Sequence, residues 1–193
     1  MTGSLNVDHV GPHADALDVL RQFTSADDRC TALASEFVHH LELHGDGVLR
    51  ECRPAHVTAS ALVMSADYGF VLLTLHPKVG RWLQTGGHVE AADTSLRLAA
   101  LREATEESGI QDLQVAGSPI MLDRHDVPCA GSPATHLDVQ YLAIAPKGAR
   151  AAISEESLDL RWFSVDRLPR DTDLSVTRLV QAALDWLNMR QER

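Results

Sequence analysis

Gly86-Gly87-His88-Val89-Glu90, followed by Arg102-Glu103-Ala104-Thr105-Glu106-Glu107-Ser108-Gly109-Ile110, is the stretch that decides how this chain folds. Asp93 to Ser108 has helical character and is closed by Gly109, a residue that ends helices because it takes the left-handed conformation without strain. At about 100° per residue, with Glu103 set at zero, Glu106 falls near −60° and Glu107 near +40°, so three carboxylates share one stripe. Leu98, at about −140°, and Leu101, at about 160°, lie opposite and are the expected anchors of the helix on a sheet. Arg102 stands four residues before Glu106, placed to hold its carboxylate. Like charges on adjacent turns repel, and a hard divalent cation, which takes oxygen ligands, relieves that repulsion. A solvated acidic face braced by arginine is the competing reading of the helix alone. The glycines weigh against it, because they follow a strand-like run, let backbone approach a ligand closely and free carbonyl groups for a metal.

Upstream of the glycines the hydrophobic period is two. His56, Thr58 and Ser60 alternate with Val57, Ala59 and Ala61, and Phe70 to Leu75 is a β-rich run; Ser65-Ala66-Asp67-Tyr68-Gly69 between them is a hairpin loop. Downstream, apolar runs at Ile120–Leu122, Val139–Ile144 and Leu160–Val165 continue the strands, and His136, Asp138 and Gln140 alternate with Leu137, Val139 and Tyr141. The first fifty residues read as helical, with Leu17, Leu20 and Phe23, then Cys30, Leu33, Phe37 and Leu41, at helical spacing. Ser25 and the acidic turn after it are placed to cap the second helix, and Gly45-Asp46-Gly47 ends the pattern. Val176, Leu179, Val180, Ala183 and Leu187 make the last segment helical. Strands in the middle, with one helix embedded among them and others at the ends, predict an α/β fold with a mixed sheet covered by helices. A helical extension over residues 1–50 is expected to pack on a main domain over residues 51–193.

Across 193 residues, 17 Lys and Arg stand against 27 Asp and Glu, a formal charge of −10. Such acidity argues against nucleic acid and anionic membranes as partners, and no basic cluster makes a local exception. No apolar run reaches the about 18 residues of a membrane span, and Met1 to Pro12 lacks the pattern of a signal peptide, so a cytoplasmic location is expected. Cys30, Cys52 and Cys129 are scattered without CxxC spacing and are expected to be reduced, mostly buried thiols. His39, His40 and His44 invite a metal reading, but adjacent histidines diverge by about 100° on a helix, and a solvated surface is the plainer expectation.

The central stretch resembles the Nudix box, G-x5-E-x7-R-E-U-x-E-E-x-G-U with U aliphatic. Gly87, Arg102, Glu103, Ala104, Glu106, Glu107, Gly109 and Ile110 fall on it in order. Two departures stand out: Asp93 occupies the place of a Glu, and eight residues rather than seven separate it from Arg102. Asp93 also suits a helix N-cap. More weakly, Arg81 to Thr85 looks like the strand leading into the box, and Leu160 to Pro169 like a closing strand and turn of that family.

The resemblance implies a Nudix-type α/β/α sandwich that hydrolyses a diphosphate bond in a nucleoside diphosphate linked to another moiety, with Mg²⁺ as cofactor and Mn²⁺ as its substitute. It places metal ligands at Glu103, Glu106 and Glu107, with the Gly86 carbonyl. Catalytic roles are implied for Glu103 and Glu106. Because the family also draws its base from a later loop, Glu156, or its neighbour Glu155, is a further candidate, whose other reading is an exposed acidic turn. Arg81, His136 and Asp138 are the candidate substrate contacts; the polar strand face carrying the last two either lines the cleft or faces solvent. The expected partner is a small-molecule diphosphate, with neither nucleic acid nor membrane, and homodimers are common in the family. Two other functions occur on this fold. Nucleotide-sensing modules usually lose box glutamates, whereas this chain keeps all three. An isomerase of isopentenyl diphosphate needs a positioned Cys and Glu, and Cys52 and Cys129 lack its sequence surroundings.

Overall fold

A computed structural model describes residues 11–129, 132–153 and 157–191. Its elements are α1 (Pro12–Gln22), α2 (Asp28–Leu43), β1 (Ala55–Met64), β2 (Phe70–Leu75), β3 (Trp82–Leu83), β4 (Thr85–His88), α3 (Leu96–Ser108), β5 (Gln114–Val115), β6 (Met121–Cys129), β7 (Ser132–Ile144), β8 (Asp159–Ser164) and α4 (Leu174–Gln191). The strands form one mixed sheet. β1 lies at its centre, parallel to β7 from Ala55↔Thr135 to Met64↔Ile144. The other edge of β1 is divided. β4 takes its first half antiparallel, Thr58↔His88 to Ala61↔Thr85, and β2 takes the end, Val63↔Leu72 and Met64↔Val71. β5 and β6 run antiparallel to β7, and β3 and β8 antiparallel to β2. With helices on both faces, this is the helix-covered mixed sheet that the sequence pattern predicts and the α/β/α sandwich that the resemblance implies.

Alternation along β1 explains why both faces are covered. Val57, Ala59, Ala61 and Val63 share one apolar core with Ala16 and Leu20 of α1, Leu33, Phe37 and Leu41 of α2, and Ala99, Ala100 and Ala104 of α3. Burying one side chain such as Phe37 or Leu41 contributes on the order of 2 kcal/mol. The even residues divide. Leu62 and Met64 pack with Val71, Leu73 and Leu142 under Val176, Leu179, Val180, Ala183 and Leu187 of α4. His56, Thr58 and Ser60 are buried as well, yet polar. The second face of the sheet therefore has an apolar half beneath α4 and a polar half along the start of β1.

The N-terminal helices do more than cover the sheet. Asp27, not Ser25, caps α2 by accepting from the Arg29 N–H; Ser25 accepts from the Asp27 N–H at 3.1 Å. On α1, Asp15 Oδ2 accepts from the backbone N–H of Leu96, the first residue of α3, at 2.7 Å. The extension thus supplies a second cap to the helix of the acidic stripe, beside its own Ser95. His40 and His44 are not the solvated pair expected from their positions. Their rings stack with centroids 4.7 Å apart and His40 is half-buried, because the turn through Gly47 folds back and donates its N–H to His44 O. Cys30 and Cys52 are free and buried. Among the described residues, no helix is long and apolar enough to cross a membrane.

Candidate active site

Of the two leucines its charge pattern suggested, α3 packs by Leu101 only, and by that one in part. Leu98 is 39% exposed and Leu101 only half-buried; Leu96, Ala99, Ala100 and Ala104 are buried instead. On the same wheel those four fall at about 20°, −40°, 60° and 100°, so the packing stripe coincides with the carboxylate stripe. Alanine makes this workable: small side chains let the helix lie close to β1 and β4, and the glutamates on that face reach a strand where glycines leave room. A Cβ on Gly87 would stand 2.7 Å from Glu103 Oε2, and the Gly86 N–H donates to Glu107 Oε1 at 3.2 Å. Gly86 is itself fixed by close approach, since at φ 152° a Cβ there would meet Ser60 Cα at 2.5 Å.

Arg102 ties the loop to the helix. Its Nε and Nη2 donate to the two oxygens of Asp93 at 3.2 and 3.0 Å, its Nη1 to Glu103 Oε1 at 2.9 Å and Glu106 Oε2 at 3.2 Å, and its Nη2 to His88 O at 3.0 Å. Asp93 is therefore not the N-cap of α3. It clasps Arg102 through a two-point fork and accepts the Glu90 N–H at 2.8 Å, closing the loop that is one residue longer than the pattern. Hydrogen bonding, to Asp93 above all and then to Glu103, raises the Arg102 pKa further, so it stays a cation. One guanidinium faces Asp93, Glu103, Glu106 and, at 3.8 Å, Glu90. Carboxylates outnumber the cation, and the side-chain donors gathered around Arg102 and Gly86 are all carboxylate oxygens. That donor set fits a hard divalent ion. Glu103 is 14% exposed and Glu106 60%, so Glu106 is the carboxylate that opens outward.

The other candidates lie elsewhere. Asp138 stands across the sheet, on the polar half-face, where it accepts from Thr58 Oγ1 (3.0 Å), Ser60 Oγ (2.8 Å), Gln84 Nε2 (3.3 Å) and Gln140 Nε2 (2.8 Å). His136 is beside it, with the rings of His56, His88 and His125 at 4.9, 5.1 and 5.4 Å. Burial pushes His88 down to about 4 and His136 to about 3, and lowers His56, so all three imidazoles are neutral at pH 7. For His125 burial also acts downward, but the bond to Asp123 and the charges of Asp138, Asp123 and Asp173 outweigh it and the pKa is raised. Arg81 is exposed before β3 and pairs with Asp173 at 3.3 Å. Glu155 and Glu156 lie outside the described residues.

A cleft of about 570 Å³ opens on the α3 face of the sheet, lined by Phe70, Lys147 and Trp162 among others. The register Val63↔Leu72↔Trp162 sets its aromatic wall on the same face as Ala59 and Gly87. Phe70 is 45% exposed, which strand periodicity alone did not single out. Four steps along β1, from Ala59 to Val63, separate the glycines from this wall, roughly 13 Å.

A model of the NUDIX domain matches residues 54–182. The chain belongs to the NUDIX family. It is a Nudix hydrolase, and its general chemistry is the hydrolysis of a diphosphate bond. A NUDIX-family hydrolase from Clostridium perfringens superposes with a TM-score of 0.58 at 26% identity, covering 68% of this chain and 97% of that one. An Ap4A hydrolase from C. elegans, in a binary complex, has a TM-score of 0.55 at 18% identity, covering 68% and 97%. The MutT protein from Methanosarcina mazei Go1 has a TM-score of 0.55 at 19% identity, covering 70% and 96%. These last two likenesses are of fold alone. A search of curated protein sequences finds no match. The Nudix domain match begins after α2, so the Asp15 cap on the box helix comes from outside it.

Proposed function

We propose that this Nudix hydrolase cleaves the diphosphate linkage of a nucleoside diphosphate joined to another moiety, with Mg²⁺, or Mn²⁺ in its place, held by Glu103, Glu106, Glu107 and the Gly86 carbonyl. The convergence of α3 carboxylates on Gly86 and Gly87, braced by Arg102, carries this reading. Such an ion, when bound, neutralises phosphate oxygens and makes a water more acidic. The chain's own work is positional. Gly87 leaves room for a carboxylate to reach the backbone, and Gly86 donates its N–H to another. Arg102 fixes the rotamers of Glu103 and Glu106, and Asp93 fixes Arg102. Glu106 points toward the open side, where a substrate arrives. Phe70 and Trp162 offer aromatic faces to a nucleobase at a distance comparable to the reach of a nucleoside diphosphate, which supports that substrate class. Glu103 within the box and Glu156 beyond it are the two candidates to take the proton from water.

The test is a panel of nucleoside triphosphates, ADP-ribose-like sugars, dinucleoside polyphosphates and coenzyme diphosphates, assayed for phosphate or nucleoside monophosphate release with and without Mg²⁺. Turnover of at least one compound, dependent on the ion and lost in a folded Glu107→Gln protein, is expected. Full activity of folded Glu107→Gln would overturn the ligand assignment, and nucleotide binding without turnover would favour a sensing module. Glu103→Gln and Glu156→Gln separate the two bases: a ligand variant regains activity at higher Mg²⁺ and a base variant does not.

A further inference from the structure

The polar half-face holds a second group of donors, unlike the first in chemistry. His56 comes from β1, His136 from its parallel neighbour β7, and His88 from β4 on the other side of β1. Their registers place all three on the face opposite Glu103. One ring nitrogen from each lies within 4.8 Å of the others. His56 is fully buried and its Nε2 has no hydrogen-bond partner; His136 Nε2 is likewise buried and unpartnered. The tautomer of His56 follows from its other nitrogen. Nδ1 lies 3.3 Å from Cys52 O, and a carbonyl only accepts, so Nδ1 carries the proton and Nε2 the lone pair. Arg53 Nη1 stands 3.5 Å from the same Nδ1 but gives its hydrogens to the carbonyls of Arg50 and Cys52. A backbone carbonyl behind one ring nitrogen, with the other aimed into a cluster of imidazoles, is the usual orientation of a metal-bound histidine.

We propose that His56, His88 and His136 form a transition-metal site of the Zn²⁺ class, separate from the Mg²⁺ carboxylates. Three neutral nitrogen donors suit a borderline cation and not a hard one, and they leave a fourth position for water or a substrate oxygen. Zn–N bonds of about 2.05 Å in a tetrahedron set the nitrogens about 3.3 Å apart, which ring rotation reaches from the spacing found. A bound ion would also give the two buried Nε2 atoms the partner they lack.

The experiment is a Co²⁺ titration of the full chain, stripped of transition metals with a chelator and held in excess Mg²⁺. One equivalent should bind with a ligand-field spectrum that Zn²⁺ displaces and Mg²⁺ does not. His136→Gln and His88→Gln should each weaken binding at least about tenfold, whereas Glu107→Gln and Cys52→Ser should leave it unchanged. Circular dichroism checks each fold. Should His136→Gln not fold, His88→Gln, a half-exposed position at the end of β4, decides. Absence of saturable binding in Mg²⁺ would overturn the proposal. So would binding unaffected by the folded histidine variants, binding lost in Glu107→Gln, or a thiolate band lost in Cys52→Ser, which would move the ion to His44, Asp46 and Cys52.

Discussion

Gly87→Ala adds one methyl group where the structure leaves no place for it. The new Cβ would stand 2.7 Å from Glu103 Cδ and Oε2 and 2.8 Å from Oε1. Non-bonded contact needs about 3.5 Å, so the carboxylate must withdraw by about 0.8 Å. Glu103 is bonded to Arg102 at 2.9 Å, and Arg102 to Asp93 and Glu106, so the shift passes into the whole acidic cluster. The fold should survive, because the obstacle is the far end of a flexible side chain. Overpacking of this kind costs about 1 kcal/mol, or roughly 2–4 °C in Tm. Catalysis should suffer far more, since displacing a catalytic group by about 1 Å costs on the order of a hundredfold, about 2.7 kcal/mol of barrier. Steady-state kcat/KM and thermal unfolding, measured on one preparation, read the two effects. Gly86→Ala is the contrasting variant: its Cβ would meet Ser60 Cα at 2.5 Å at a strained φ of 152°, so it should fail to fold. A Gly87→Ala enzyme with wild-type kcat/KM, or a Gly86→Ala protein with unchanged Tm, would refute the close-approach argument.

Three further outcomes follow from the same contacts. Arg102→Lys keeps the charge but loses the fork onto Asp93, so the Mg²⁺ concentration for half-maximal activity should rise about tenfold; an unchanged Mg²⁺ curve counts against the clasp. Asp15→Ala removes the acceptor for the Leu96 N–H and should cost about 1 kcal/mol, with faster hydrogen exchange at that amide, whereas Asp15→Asn keeps an acceptor and should restore most of it. Acid should destabilise the fold in two steps: folded-state pKa values of about 3 for His136 and about 4 for His88 give stability that is full above about 6.5 and lost as pH falls toward them, and Asp123, held below the ordinary carboxylate range because His125 and Arg29 outweigh burial, adds a loss below about 4. A Tm that stays flat from pH 7 to 3 would contradict both.

Short-range pattern carried much of the reading and misled at identifiable points. The glycine pair, the helix closed by Gly109 and the acidic stripe are local, and each stands where spacing put it. Leu101 packs on the core as expected and Leu98 does not, because a charge-versus-leucine wheel gives alanine no weight, yet Ala99, Ala100 and Ala104 are what let the helix lie close. Asp93 looked like a cap because it precedes the helix; its partner Arg102 lies nine residues on, and only the folded loop shows the clasp. Asp15 and Leu96 are 81 positions apart, a separation across which periodicity says nothing. The polar alternation of His136, Asp138 and Gln140 was visible in one strand, but its neighbours depend on the parallel pairing of β1 with β7. Alternation alone sends that face to a cleft or to solvent, whereas Asp138 is saturated within the fold.

β4 shows how one short strand keeps two chemistries apart. Gly87 is opposite Ala59, and His88 is opposite Thr58. Successive residues face opposite sides of a sheet, so the backbone that accommodates Glu103 at one residue must direct an imidazole to the other side at the next. Oxygen donors and nitrogen donors therefore cannot close on a single ion, although they are neighbours in sequence. The two sets are nevertheless joined mechanically: Arg102, which orders Glu103 and Glu106, also holds the carbonyl of His88 at 3.0 Å. A shift of β4 that repositions His88 must move that carbonyl, and with it the guanidinium on which the carboxylates rest. Occupancy at the histidines would then bear on the carboxylates through Arg102, with no ligand shared between them.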